Sequence, residues 1–353
     1  MLPASLVVHP AQKIELLRGR AQWLWFFLLS AVALCVPLFI GKFWLHIVNL
    51  ALLAAMGAIA LNLLTGNARL VSLGQAAFLG VGGFTAGILA QNFGAGFIPV
   101  VIAAAAIGAM LGLLAALPSL RLRVLYVAVA TLALHFSITI ILGVVQAQVL
   151  GSSALLLPAA KIGGYSLKQA HQWYYVLLFL TGSCVLMALN LLRSYIGRRW
   201  VAVADHDVAA ETLGVSVTGA KISVFMVTSA MVSFTGAVSA YYIGTVSSEY
   251  YDLTLAVTYL AMIIVGGMGS VLGSVLGAFL ITILPYAVDK LLETMGIGLD
   301  GGSLVGLHSV IFGGLIAAFL LFEPRGLAEI WRRLWNVFAQ FPFRYRSARS
   351  GAR

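Results

Sequence analysis

The chain has 353 residues, of which 61% are hydrophobic and 9% charged, with 37 glycines and a net charge of +10. A mean hydropathy of +1.03 excludes a protein that lives in water and points to one whose solvent is mostly lipid, where backbone groups must be satisfied within helices. The positive charge carries no basic and aromatic interleaving of the nucleic-acid-binding kind, so anionic lipid headgroups, and no nucleic acid, are its expected partners.

A bilayer core of about 30 Å requires about 20 apolar residues per helical span. Residues 1–22 are polar and basic, as the start of a signal peptide is, but no small-residue cleavage site follows the first apolar run. They read as a cytoplasmic segment ahead of a retained anchor. Apolar runs follow at Trp23–Ile40, Phe43–Leu64, Leu70–Gln91, Phe97–Leu117, Val124–Val145, Trp173–Leu192 and Ile222–Gly244. The stretch Leu255–Val288 is interrupted by Gly266, Gly267 and Gly269 and reads as two short spans, and Leu304–Phe322 is the last. A barrel would need polar residues at alternate positions, and runs such as VVIAAAAIGAMLGLLAAL at 100–117 do not alternate. The expected fold is an all-α integral membrane protein of about ten transmembrane helices, Gly-broken short ones included. Its membrane domain covers 23–322, with a basic C-terminal tail at 323–353.

Lysine and arginine set the orientation, because loops rich in them stay on the cytoplasmic side. With both termini inside, the inner segments hold Lys13, Arg18, Arg20, Arg69, Arg121, Arg123, Arg193, Arg198, Arg199, Lys221 and the seven arginines from Arg325 to Arg353. Only Lys42, Lys161, Lys168 and Lys290 fall outside, so an even number of spans is expected. Cys35 and Cys184 lie in separate spans without paired spacing and read as packing residues.

The longest inner loop, 193–221, contains the polar stretch AVADHDVAAETLGVSVTG at 202–219. Asp205 or Asp207 can cap a helix N-terminus there, and Gly214 can close its other end. A helix of about two turns is marginal in water unless something packs on it. Val208, Ala209, Thr212 and Leu213 would form a low-relief face, with Asp207 and Glu211 four apart on an acidic edge. The alternative is a solvated loop that happens to be helical. A catalytic carboxylate pair is disfavoured, since nothing apolar encloses the acids.

The segment Ile196–Ala240 resembles the permeases of branched-chain amino acid ABC importers, in which the matching piece is the ATPase-coupling loop. Ala209, Ala210, Glu211 and Gly214 match that pattern, together with the neighbouring Asp205, Asp207, Val208 and Leu213, whereas Ala204 stands where the family commonly has arginine. LNLLTGNARLVSLGQAAFLGVGGFTAG from Leu61, LRLRVLYVAVATLAL from Leu120, LAMIIVGGMGSVLGSVLGAFL from Leu260 and FEPRGL from Phe322 extend the resemblance over most of the chain. It is closest to the longer of the two permeases that such importers pair. The resemblance implies a second, homologous permease, two cytoplasmic ABC ATPase subunits that hold ATP and magnesium, and an extracytoplasmic substrate-binding protein. This chain would bind no cofactor or metal itself, and would sit in a bacterial inner membrane.

Gly-interrupted segments in corresponding positions of the two halves point to a substrate path. Here they are Gly66, Ser72, Gly74 and Gln75 in the first half and Gly266, Gly267, Gly269 and Ser270 in the second. Close helix packing through small residues is the alternative. Gln75, where the resembling family often has histidine or glutamine, either faces the path or bonds a neighbouring helix. Thr131 and Tyr126 lie in the family's Tyr-x-Ala-x-x-Thr-Leu-Ala stretch, where the tyrosine can equally be an interfacial belt residue. His135 reads as a satisfied polar contact.

No span carries a lysine, arginine, aspartate or glutamate near its middle, which disfavours proton or sodium relays. The chain lacks GxxxxGK[ST] and so has no phosphate loop of its own. Its six histidines are scattered, against a membrane-embedded enzyme. Glu249 and Asp252, or the 146–172 loop, can receive a binding protein or simply be solvated. Leucine, isoleucine and valine are the default cargo. GSSALLLPAAKIGG after the fifth span departs from the family's Gly-rich, Asp- or Asn-containing pattern, so urea, short amides or small aromatic acids stay open, as does a passive channel.

Overall fold

A computed structural model describes residues 34–121, 124–149, 151, 154–162 and 165–294, together with 326–331 and single positions between 306 and 333. The sequence's first and tenth spans, the segment 1–22 and most of the tail 323–353 therefore lie largely outside the described residues. Among those residues six helices are long and apolar enough to cross a bilayer: Lys42–Asn67, Phe97–Leu120, Tyr126–Gln148, Ala170–Arg193, Val217–Ile243 and Val271–Thr294.

Helix α1 (Lys42–Asn62) is buried without interruption from Ala51 onward and forms the centre of the bundle. It widens into a π turn, Leu63–Asn67, and residues 68–74 then run without helix to α2 (Gln75–Asn92). The span read at Leu70–Gln91 thus begins with several non-helical residues. Helices α3 (Phe97–Arg121), α4 (Val124–Val144) and α5 (Ala170–Arg193) follow. Two short helices, α6 (Tyr195–Asp205) and α7 (Asp207–Thr212), lead into α8 (Val217–Ile243). The last pair is α9 (Leu253–Gly266) and α10 (Val271–Thr294), which confirms the break expected inside Leu255–Val288. At about 1.5 Å per residue, the 14 residues of α9 reach about 21 Å, short of the roughly 30 Å of a bilayer core.

Helix α8 packs most extensively on α3 and α2, and glycine is what lets the backbones meet. A methyl group on Gly82 would strike the Ser233 carbonyl, one on Gly236 the backbone of Leu79, and one on Gly112 the Phe225 carbonyl. Lipid gives helices little hydrophobic reason to associate, so close van der Waals approach and interhelical hydrogen bonds must do it. Ser233 Oγ adds such a bond to the Phe78 carbonyl at 2.8 Å. Cys184 is buried on α5 and Cys35 is exposed.

The two ends of the bundle differ. At one end the two-residue strands β1 (Leu155–Leu156) and β4 (Thr245–Val246) pair antiparallel, and β2 (Lys161–Ile162) and β3 (Tyr165–Ser166) form a hairpin. There Asn49 Nδ2 donates to the Ala170 carbonyl at 2.9 Å, and Phe97, Trp173, Tyr241 and Tyr242 make edge-to-face contacts. At the other end lie α6, α7, the start of α8 and Arg69, tied across by Lys221 Nζ on the Ser119 carbonyl at 3.3 Å. Among the described residues, Arg69, Lys221 and the α6–α7 loop, read as inner, so lie at the end opposite the segments 155–170 and 245–246.

Candidate functional site

The two Gly-broken segments meet. Asn62, the last residue of α1, donates from Nδ2 to the Ser270 carbonyl at 2.8 Å and to Ser274 Oγ at 2.7 Å, and its Oδ1 accepts from the Gly269 N–H at 2.8 Å. A single amide thus closes the gap between α9 and α10, where Gly267 and Gly269 take φ of +114° and +82°. Such backbone suits glycine, which has no Cβ to clash. A side chain on Gly66 would run into Gly269, and one on Gly326 into Gly266 and Gly267, so the chain ends of both breaks and Gly326 share one tight junction.

The loop 68–74 climbs back along α1. Gln75 Nε2 donates to the Gly57 carbonyl at 2.9 Å, and Gly57 stands ten residues, about 15 Å of helix, before Asn67. Irregular backbone at membrane depth survives only where the protein supplies its hydrogen bonds, and here it does. Leu70 N–H donates to the Leu64 carbonyl at 3.1 Å, Leu73 N–H to Thr131 Oγ1 at 3.0 Å and Gly74 N–H to Ser72 Oγ at 3.3 Å. Ser72, Gln75 and Thr131 are buried. On the far side of Gly57 the ring of Tyr259 fills the space that a side chain would take. Gln75 therefore makes the helix-to-helix bond that was the alternative to an open-path position.

From the other end a second segment dips inward. A 3₁₀ turn, Ser248–Tyr251, follows β4, and Tyr251 is buried against Gly80 and Gly83 of α2. Gln146 Oε1 accepts the Ser248 N–H at 2.8 Å, and Asp252 Oδ1 caps α9 through the Leu255 N–H at 3.0 Å. Of the path residues read from the sequence, Ser72, Gly74, Gln75, Thr131, Gly266, Gly267 and Gly269 line these two junctions. Tyr126 does not join them; it is 61% exposed on the surface of α4. Asn62, Tyr259 and Tyr251 were missed, although an asparagine inside an apolar run was itself a signal, since an amide in lipid needs a partner.

In the loop 193–221 the helix read near Asp207–Gly214 is present as α7. Neither aspartate is its cap: His206 holds that position without a side-chain bond. Asp207 is the first helical residue, its Oδ1 accepting from the Val208 N–H at 2.9 Å, and Asp205 ends α6. Asp205 is drawn away by Arg69, whose guanidinium lies 2.9 Å from it and 3.5 Å from the Ala204 carbonyl. Such exposed pairs contribute about 0–1 kcal/mol. The C-terminus closes as the sequence suggested: Gly214 has φ +81°, its N–H donates to the Glu211 carbonyl at 2.9 Å, and the Val215 N–H reaches back to Ala210 at 2.9 Å. These two bonds satisfy the last carbonyls of a short helix.

Ala210 is buried and anchors α7, while Ala209, Glu211, Thr212, Val208 (72% exposed) and Leu213 (85% exposed) face outward. Next to it α6 buries Trp200, whose Nε1 donates to Ser223 Oγ of α8 at 2.8 Å. A cavity of about 230 Å³ remains between α6, α8 and the loop at 68–70, lined by Arg69, Leu70, Trp200, Asp205, His206 and Lys221. Among the described residues no group of three or more His, Cys, Asp or Glu is placed to hold a metal.

The family model for the branched-chain amino acid transport system permease component matches residues 43–320. The chain belongs to this permease family. It is 24% identical over 336 residues to the high-affinity branched-chain amino acid transport system permease protein LivM of Salmonella typhimurium, covering 88% of this chain and 76% of the relative. Against the LivM protein of Escherichia coli K12 it is 25% identical over 333 residues, 87% of this chain and 75% of the relative. A probable ABC transporter permease protein, y4mJ, of Sinorhizobium fredii is 28% identical over 143 residues, 38% of this chain and 41% of the relative. No solved structure matches the chain. As a multi-pass membrane permease, it has the glycine breaks at 66–74 and 266–269 inside the matched region, and so too the whole of α7.

Proposed function

We propose that this chain is a permease subunit of an ATP-binding cassette importer in a bacterial inner membrane. It moves branched-chain or related amino acids that an extracytoplasmic binding protein delivers, and a second permease and two cytoplasmic ATPases complete the machine. The observation that carries this reading is α7: a helix closed by glycine, with Ala210 as its buried residue, which holds Val208 and Leu213 outward. Exposed apolar side chains on a rigid, short helix suit a groove on another protein better than water. Asp205, Asp207, Ala209, Glu211 and Gly214 border that face, which puts the end bearing α6 and α7 in the cytoplasm, as the lysine and arginine distribution requires.

Substrate passes where the two broken segments approach each other, beside Ser72, Gly74, Gln75 and Thr131 and the glycines 266, 267 and 269. Helices that start within the bundle suit this, because their dipole ends are directed at a path between them. Reconstitution with the ATPases and binding protein, with leucine, urea, acetamide and benzoate each offered as probe, tests the reading. Solute-stimulated ATP hydrolysis coupled to uptake is expected, and flux through this chain alone without nucleotide would establish the passive channel instead. Glu211→Lys and Gly214→Pro should leave the amount of protein in the membrane unchanged while uncoupling hydrolysis from uptake. Normal uptake by both would remove α7 from the mechanism.

A further inference from the structure

Arg69 is the only non-glycine residue with positive φ, +53°, among the described residues. Residues with a Cβ disfavour that conformation, and glycine would adopt it freely. Arg69 nevertheless carries the one side chain of the loop 68–74 that reaches the α6–α7 corner, touching both Asp205 and the Ala204 carbonyl. Both charged groups are more than half exposed, so the pair adds little to folding, and stability does not account for an arginine here.

The loop that holds Arg69 is braced at both ends. Behind it, Ala68 and Leu70 bond to the π turn through Leu63 and Leu64, which abuts the Gly66–Gly269 contact. Ahead of it, Leu73 is held by Thr131 and Gln75 by Gly57. The cavity between α6, α8 and this loop leaves room for the corner to shift, so Arg69 spans it as a strut where side-chain packing is incomplete.

We propose that Arg69 is a positioning residue that links α7 to the broken helices: displacement of the α6–α7 corner pulls Asp205, Asp205 pulls Arg69, and the braced loop passes the movement to the Asn62–Gly269 junction and to Gln75. This rests on the reading of α7 as the ATPase contact and names the second link of that chain. Coupling of this kind needs a contiguous element that both sites bias, and among the described residues the pair supplies an ionic contact between the α6–α7 corner and the loop.

The experiment uses the complete transporter in proteoliposomes, with leucine or whichever probe of the panel above drives hydrolysis best. Uptake per ATP hydrolysed is compared for wild type, Arg69→Gly, Asp205→Ala and the exchanged pair Arg69→Asp with Asp205→Arg, with Glu211→Lys as reference. Arg69→Gly relieves the backbone, so its thermal stability and membrane content should equal or exceed wild type, while uptake per ATP falls about fivefold or more, the lower end of coupling between distant sites. Asp205→Ala should match it, and the exchanged pair should recover most of the loss. Unchanged coupling in Arg69→Gly and Asp205→Ala, with Glu211→Lys uncoupled, overturns the strut and leaves the α7 reading standing. Failure of the exchanged pair to recover also overturns it, and normal coupling in Glu211→Lys as well removes the reading of α7 itself.

Discussion

Replacing Asn62 with leucine is expected to be the most damaging single change in the polar part of the interior. The substitution keeps the branched shape but strands the Gly269 N–H, while the Ser270 carbonyl and the Ser274 hydroxyl each lose one partner and keep the bond between them. A buried donor left without a partner costs roughly 1–3 kcal/mol and each further lost bond about 1 kcal/mol, so the loss should be about 3 kcal/mol. Because the amide joins the end of α1 to the α9–α10 break, the loss falls on the junction that the two halves share. Thermal unfolding in detergent should report a lower midpoint, and uptake should drop even in the fraction that remains folded. Ser274→Ala removes only one of the three bonds and serves as the graded control; equal stability of Asn62→Leu and wild type would show that the junction is held by its glycine contacts alone.

Gly236→Val should do comparable harm by a different route. The added side chain meets the backbone of Leu79, not the yielding end of a flexible side chain, so α2 and α8 must move apart. Their separation also stretches the bond from Ser233 Oγ to the Phe78 carbonyl and exposes Gly82 and its contact on Ser233. Overpacking a filled core costs about 1–3 kcal/mol, and a rigid backbone on the opposing side places this site at the upper end or above. The amount of protein reaching the membrane, with Gly182→Val as control, measures it, since nothing lies within contact distance of a side chain at Gly182. Equal accumulation of both variants would mean that the α2–α8 approach does not determine assembly.

The glycines illustrate what could be read in advance. Gly214 closing α7 was legible because a glycine seven residues past Asp207 has a local cause, the positive φ that ends a helix. The break at Gly266, Gly267 and Gly269 was legible for the same reason, as was the equivalence of the two interrupted segments. That these segments touch, and that Asn62 joins them, was not legible, because which distant carbonyl faces an amide depends on how helices are placed and not on their periodicity. The capping role read for Asp205 failed on the same ground: a local preference for the helix N-terminus gave way to Arg69, which is distant in sequence. Tyr126 was grouped with Thr131 by a shared stretch, yet their places on α4 point one outward and one inward.

The sequence by itself determined a helical membrane protein, the break at Gly266, Gly267 and Gly269, and a short helix in the loop 193–221. All of these follow from the cost of unpaired backbone and charge in lipid and from local backbone geometry. Only the tertiary structure decided that α2 begins halfway along α1, that Gln75 spends its amide on Gly57, and that Arg69 reaches the α6–α7 corner. Those facts depend on contacts between residues far apart in the chain, where packing and hydrogen-bond satisfaction choose among partners that the sequence lists without ranking.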